Sequence, residues 1–331
     1  MKFFMAGLIV VGALNMALAQ NILEQNRLLG RGINFGNALE APSEGAWGLR
    51  LEERYFDLVK QAGFNHLRLP VSWTHHAAGS PPHAIRPEFL ARVDWAIAQA
   101  TQRGLRVVLN LHHHDPLNAN PAAEEARYLA IWRQLAERYK SQPATVLFEL
   151  LNEPHGKFND DPALWNALLP KALATVRQTN PTRAVIVGPV WWNNVTHLDR
   201  LTLPADPNLI VTVHFYDPFE FTHQGAEWVN PAPPVGRRFP SADDQARMRQ
   251  TLDKAQQWGQ QNNRPIYVGE FGSYSKADPA SRVAWTAFVR SELEKRGFSW
   301  AYWEFGAGFG AYDRLMDEWR KPLLEALIPP R

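Results

Sequence analysis

Eight short apolar runs recur along the chain, and most of them lead into polar or charged residues. They are RGINFGN (31–37), FNHLRLP (64–70), LRVVLNLHH (105–113), TVLFELLNEP (145–154), AVIVGPV (184–190), LIVTVHFY (209–216), PIYVGEFG (265–272) and SWAYWEFG (299–306). Their length and β-branched content are those of strands buried on both faces. Between most of them lie stretches with helical periodicity. Phe89, Val93, Ala96, Ile97 and Ala100 mark one such stripe, closed by Gly104, and Tyr128, Ile131, Leu135 and Tyr139 mark another. Doubly buried strands alternating with helices predict an α/β fold, a closed parallel (β/α)8 barrel of the TIM type. The alternative, a doubly wound open sheet, wants a Gly-rich phosphate turn after its first strand. GINFGNALE lacks the G-x-G-x-x-G spacing.

No low-complexity linker divides residues 20–331, so a single domain is expected there. Residues 1–19 read differently. Lys2 gives a positive start, Phe3 to Val11 is almost wholly apolar, and Ala17-Leu18-Ala19 offers small residues at the positions a signal peptidase reads. This predicts a cleaved secretory signal and a secreted or periplasmic protein. A membrane anchor fits less well, because the apolar run is short and includes Asn15. The formal net charge of +2 gives no reason to expect nucleic acid or an anionic membrane as partner. The chain has no Cys, which excludes disulfides, thiolate metal sites and a thiol nucleophile.

In a parallel barrel the strand ends share one rim around one pocket. That rim would gather Arg68, His112, His113, Asn152, Glu153, His214, Tyr216, Glu270, Trp303 and Glu304. Glu153 and Glu270, at the ends of the fourth and seventh strands, could flank a single bond. Glycoside cleavage through a covalent intermediate needs such a pair, one carboxyl protonated to donate and one ionised to attack. Arg68 and Tyr216 favour an ionised Glu270, and Glu153, beside Asn152 rather than a cation, is the better candidate for the acid. For either Glu alone, capping a helix or pairing with Lys would be the plainer reading; the set on one rim favours catalysis.

His112-His113-His114-Asp115 raises a metal alternative. Consecutive residues point to opposite faces, and no H-x-H on the first strand or H-E-x-x-H accompanies them. No metal and no cofactor is therefore expected, and His114 reads as packed or solvent-facing. The chain holds 13 Trp. Trp95, Trp132 and Trp285 fall on helical segments and read as core. Trp47, Trp191, Trp192, Trp228 and Trp303 fall in loops or at strand ends, and Trp228 and Trp303 are expected to face pyranose rings. The long segment 217–240 follows a strand end, a usual place for functional loops.

RLP, NLHHH, LNEP, HFY, GEFG and WEFG, in that order, resemble glycoside hydrolase family 5. GRGINFGNALEAP and PFEFTHQGAEW are similar to its bacterial endo-β-1,4-glucanase branch. The resemblance runs from about Gly30 to about Ile328. It implies a (β/α)8 barrel, retention of anomeric configuration and no metal. It also implies Glu153 as acid/base, Glu270 as nucleophile and Asn152 on the sugar 2-hydroxyl. Arg68, His112, His214, Tyr216 and Trp303 would support catalysis. Asn37, Glu40, His113, His223, Trp228 and Glu304 would contact substrate. A cis peptide is implied between Trp303 and Glu304. The third His of HHH departs from many relatives, which carry an aromatic there. The expected partner is a β-1,4-linked polysaccharide, acted on by a monomer. Mannanase or dual glucanase/mannanase activity is the alternative, and an exported, catalytically silent sugar-binding barrel is the non-enzymatic one.

Overall fold

Each predicted run contains a strand. In the computed structural model, which describes residues 22–330, these are β1 (Arg31–Asn34), β2 (His66–Leu69), β3 (Arg106–Asn110), β4 (Val146–Glu149), β5 (Val185–Val187), β6 (Leu209–Phe215), β7 (Ile266–Phe271) and β8 (Ser299–Tyr302). They pair in parallel in sequence order, and β1 pairs with β8 to close an eight-stranded barrel. The predicted signal segment, residues 1–19, lies outside the described residues. No described helix is long and apolar enough to cross a membrane.

The period-2 alternation of a strand explains why both faces are buried. Residues such as Leu67, Leu109, Phe148, Val187, Val211 and Val268 turn outward into the large core shared with the helices. Their neighbours Val108, Leu147, Ile186, Ile210, Tyr267 and Ala301 turn inward and form a separate small cluster inside the barrel. Ile22 and Leu29, from a helix over 22–29, belong to that inner cluster and seal the end of the barrel opposite the strands' C-terminal ends. Asn26 of the same helix donates to the Ile266 carbonyl at 3.1 Å and accepts from Ser299 Oγ at 2.7 Å.

The helical stripes behave as their periodicity predicts. Phe89, Val93, Ala96, Ile97 and Ala100 are the buried side chains of helix Pro87–Gln102, and Tyr128, Ile131 and Leu135 are buried on Pro121–Arg138. Asn120, Asp161, Ser241 and Asp278 each cap a helix start by accepting a backbone N–H. Trp132 and Trp285 are fully buried, and Trp95 packs against the core from a half-buried position. A two-stranded antiparallel hairpin, β9 (Tyr312–Asp313) and β10 (Glu318–Trp319), follows β8.

Candidate active site

Going along the inward-facing rows toward the strands' C-terminal ends, apolar side chains give way to polar ones. Arg68 on β2 is fully buried and uses every N–H of its guanidinium. Nε and Nη2 donate to the two oxygens of Glu149 at 2.8 and 2.7 Å, and Nη2 also donates to Asn152 Oδ1 at 2.7 Å. Nη1 donates to Asn34 Oδ1 at 3.0 Å and to Glu270 Oε1 at 2.6 Å. A buried cation is stable only with such complete pairing. Glu149, which sits inside an apolar run with nothing in the sequence to mark it, is thus the counter-charge that lets Arg68 sit beneath the site.

Glu270 reaches the site through a backbone irregularity. Strict alternation from Tyr267, which faces inward, would send residue 270 outward. The β6–β7 register slips at Val213/His214, so that His214 pairs with Glu270 although Val213 pairs with Val268. A bulge of this kind re-aims the side chain that follows it. Gly269 sits in the bulge, where a Cβ would meet Thr212 Oγ1 at 2.8 Å and His214 Nε2 at 3.2 Å. Glu270 Oε1 then meets Arg68, and Oε2 accepts from the Tyr216 hydroxyl at 2.8 Å.

Glu153 lies four residues beyond β4, at φ +47°. Its Oε1 is 2.7 Å from His214 Nδ1, which in turn is 3.6 Å from Glu270 Oε2. One ligating atom from each of Glu153, His214 and Glu270 lies within 4.8 Å of the others. Among the described residues this is the one group with the convergence a metal would require, and Arg68 already supplies a positive charge there. His112, His113 and His114 do not converge. His112 stacks on Trp303, with ring centroids 5.5 Å apart; His113 meets Trp47 edge-on; and His114 is buried, with Nε2 3.1 Å from Glu124.

Burial raises the Glu153 carboxyl to a pKa of about 7, with Arg68 and His155 opposing the rise. Burial also raises Glu270, against the pull of His214 and Arg68. Only Glu270 receives direct hydrogen bonds from both a guanidinium and a phenol, so a proton shared by the pair resides on Glu153. Burial holds His214 down at about 4, so its ring is neutral at pH 7.

These groups open into a cavity of about 860 Å³ lined by His112, Trp303 and, of the predicted substrate contacts, Asn37, Glu40, His113, His223 and Trp228. The Trp303–Glu304 peptide is cis. Tyr274, Phe309 and Arg314 line the cavity too, although no sequence signal singled them out. A second compartment of about 780 Å³ shares Glu153, Tyr216, His223 and Trp228 with the first and extends past Trp191 and Trp192. Glu304 requires a correction. It does not line the cavity; it is fully buried, and its carboxylate accepts the backbone N–H groups of Gly306, Ala307 and Phe309. The family resemblance implied a contact with substrate, but its hydrogen bonds hold the loop after β8. Asn152 is likewise buried, with Oδ1 on Arg68.

The chain matches the cellulase family, glycosyl hydrolase family 5, over residues 31–308. Endoglucanase H of Acetivibrio thermocellus is 37% identical over 293 residues, which are 88% of this chain and 31% of that protein. Endoglucanase B of Clostridium cellulovorans is 29% identical over 326 residues, covering 90% of this chain and 73% of that one. The chain spans about a third of the length of the first two curated relatives it matches, 31% and 35%. Among solved structures, Thermotoga maritima Cel5A in complex with mannotriose superposes with a TM-score of 0.91 at 48% identity, covering 93% of this chain and 100% of that one. The same protein in complex with cellobiose gives 0.91 at 49% identity, with 93% and 100% covered. The chain belongs to glycosyl hydrolase family 5.

Proposed function

We propose that the protein is a retaining endo-β-1,4-glucanase. The observation that carries this reading is the carboxylate pair. Ligating oxygens of Glu153 and Glu270 lie within 4.8 Å, in the range of roughly 5 Å that a double displacement uses and short of the roughly 6.5–9.5 Å that leaves room for an inverting water. In the first step Glu270 attacks the anomeric carbon while the Glu153 carboxyl protonates the departing oxygen. In the second, ionised Glu153 takes a proton from water, whose oxygen displaces Glu270 with net retention. Arg68 and Tyr216 hold Glu270 charged and oriented, and Asn152 is the candidate donor to the sugar 2-hydroxyl. Trp303 and the exposed Trp228 offer flat faces to pyranose rings. Two compartments that share Glu153, Tyr216, His223 and Trp228 in their walls suit a chain running through the site, hence cleavage of internal bonds. The reaction uses no metal, and the enzyme acts as a monomer. The leader-like residues 1–19 support work outside the cytoplasm.

The mannotriose complex of the Thermotoga maritima relative favours a second reading, that β-1,4-mannan is also accepted. Initial rates on β-glucan, carboxymethylcellulose, glucomannan, xylan and mannan decide between them. Activity on β-glucan and carboxymethylcellulose with little on xylan is expected, and activity on mannan alone would replace the glucanase assignment. Exhaustive dialysis against EDTA should leave the rate unchanged; a loss restored by Zn²⁺ or Mn²⁺ would sink the metal-free mechanism.

A further inference from the structure

The turn after β5 carries a backbone feature with no part in the proposed reaction. Trp191, Trp192 and Asn193 are three successive non-glycine residues in the left-handed region, at φ +58°, +57° and +57°. A left-handed conformation is unfavourable for L-residues and persists only where the surroundings fix it. Here Trp191 N–H donates to Asn159 Oδ1 at 2.7 Å, and Trp192 N–H donates to the Pro154 carbonyl at 3.2 Å. The Trp192 ring stacks on His155. The turn is therefore braced against the loop that carries Glu153. Its result is that two Trp side chains point out and the Asn193 side chain points in, fully buried.

The Asn193 amide lies against His214. Its Nδ2 is 3.3 Å from His214 Nε2, on the opposite side of the ring from Glu153. Gly188 makes the space for it, since a Cβ there would come within 2.1 Å of Asn193 Oδ1. That Oδ1 has no hydrogen-bond partner among the described residues. A buried amide with an unmet acceptor is costly, and an apolar side chain would fill the seat more cheaply. What the amide supplies is its N–H toward His214. With its nitrogen toward the ring the amide donates, Nε2 accepts and the ring proton sits on Nδ1, facing Glu153.

We propose that Asn193 is a positioning residue that fixes His214 in its Nδ1–H tautomer and so provides a standing hydrogen-bond donor to the ionised form of Glu153. The inference rests on the reading of Glu153 as acid/base. That residue must be ionised in the second step, and a donor at 2.7 Å stabilises that form without a second charge. Because burial keeps the ring neutral at pH 7, its tautomer is the variable. With Nε2 protonated instead, the Nδ1 lone pair would face Glu153 and favour its protonated form. The charged and titratable groups around the pair are Arg68 from β2, His112 after β3, Glu149 on β4, His155 after β4, Tyr216 after β6 and Glu270 on β7.

Two measurements test this. The first is ¹⁵N NMR of the histidine-labelled wild-type enzyme at pH 7, with the His214 signals assigned by their loss in His214→Gln. Protonated Nδ1 and bare Nε2 are expected, and a protonated Nε2 overturns the proposal even if no Asn193 variant folds. The second uses Asn193→Gly, which keeps the left-handed backbone without strain and removes the amide. The Nε2–H tautomer should appear, and the basic limb of the kcat/KM profile should rise by about half a pH unit or more, the direction for losing a donor to the charged form. A folded variant, judged by near-UV circular dichroism, with an unchanged tautomer or an unmoved limb contradicts the proposal. Failure of the underlying role is separable: if Glu153 is not the acid, the wild-type basic limb persists in Glu153→Gln while the tautomer result stands by itself.

Discussion

Glu153 and Glu270 are the same residue type a few ångströms apart, and their surroundings differ in the way the proposed division of work requires. Glu270 is hydrogen-bonded by Arg68 and Tyr216, while Glu153 faces a neutral imidazole. With Glu153 as the proposed acid, protonated in the free enzyme, kcat/KM on soluble β-glucan should fall as pH rises past about 7. The acid limb, which requires an ionised Glu270, should lie above the ordinary carboxylate value of 4.5, and both limbs belong to the coupled pair. In Glu153→Gln the basic limb should vanish and kcat/KM should drop by roughly 10²–10⁴. A wild-type basic limb above pH 9 would contradict the assignment. Both glutamates stand out in the sequence because each closes an apolar run at the rim that also carries Arg68 and Tyr216. Glu304 looked equivalent, ending β8 beside Trp303. Its side chain instead turns to the backbone N–H groups of its own loop, and the order of residues does not show which way a carboxylate turns after the last strand pair. Glu149 was hidden for the opposite reason: it sits inside an apolar run, and only its place opposite Arg68 gives it a role.

Strands and helices were readable from periodicity because burial on two faces leaves a continuous apolar run and burial on one leaves a stripe. Departures from regular geometry were not. The bulge at Gly269 turns Glu270 inward against the alternation of β7, and the left-handed turn 191–193 contains no glycine to announce it. The bulge makes a prediction at this scale. In Gly269→Ala the added Cβ meets Thr212 Oγ1 at 2.8 Å and His214 Nε2 at 3.2 Å, so His214 must shift and the Glu153–His214–Glu270 spacing must change with it. The variant should fold, with far-UV circular dichroism unchanged, and lose at least about tenfold in kcat, since displacements of about 1 Å in a site cost up to 10²-fold. Full activity in Gly269→Ala would show that the bulge does not set the geometry.

As a whole, the molecule is a barrel with a sealed end and a working end. The sequence pattern indicated the closed barrel and its active rim, but not the seal, because helix 22–29 is short and carries only two residues, Ile22 and Leu29, into the inner cluster. Burying two such side chains is worth about 3–6 kcal/mol at roughly 1.5–3 kcal/mol each. A chain starting at Gly30 should therefore unfold at a clearly lower urea concentration than one starting at Gln20, with a similar dependence on denaturant. Equal midpoints would show that the helix contributes no seal. The working end carries the central claim, that Glu270 forms a covalent bond to the sugar and Glu153 moves the proton. The direct measurement is mass spectrometry of the enzyme after reaction with 2,4-dinitrophenyl 2-deoxy-2-fluoro-β-cellobioside, whose fluorine slows the second step and whose leaving group departs without a proton. A single fluorocellobiosyl adduct on Glu270, formed in both wild type and Glu153→Ala and absent from Glu270→Ala, is the predicted result. An adduct on Glu153, or an active enzyme that forms no adduct and releases product of inverted configuration, would contradict it.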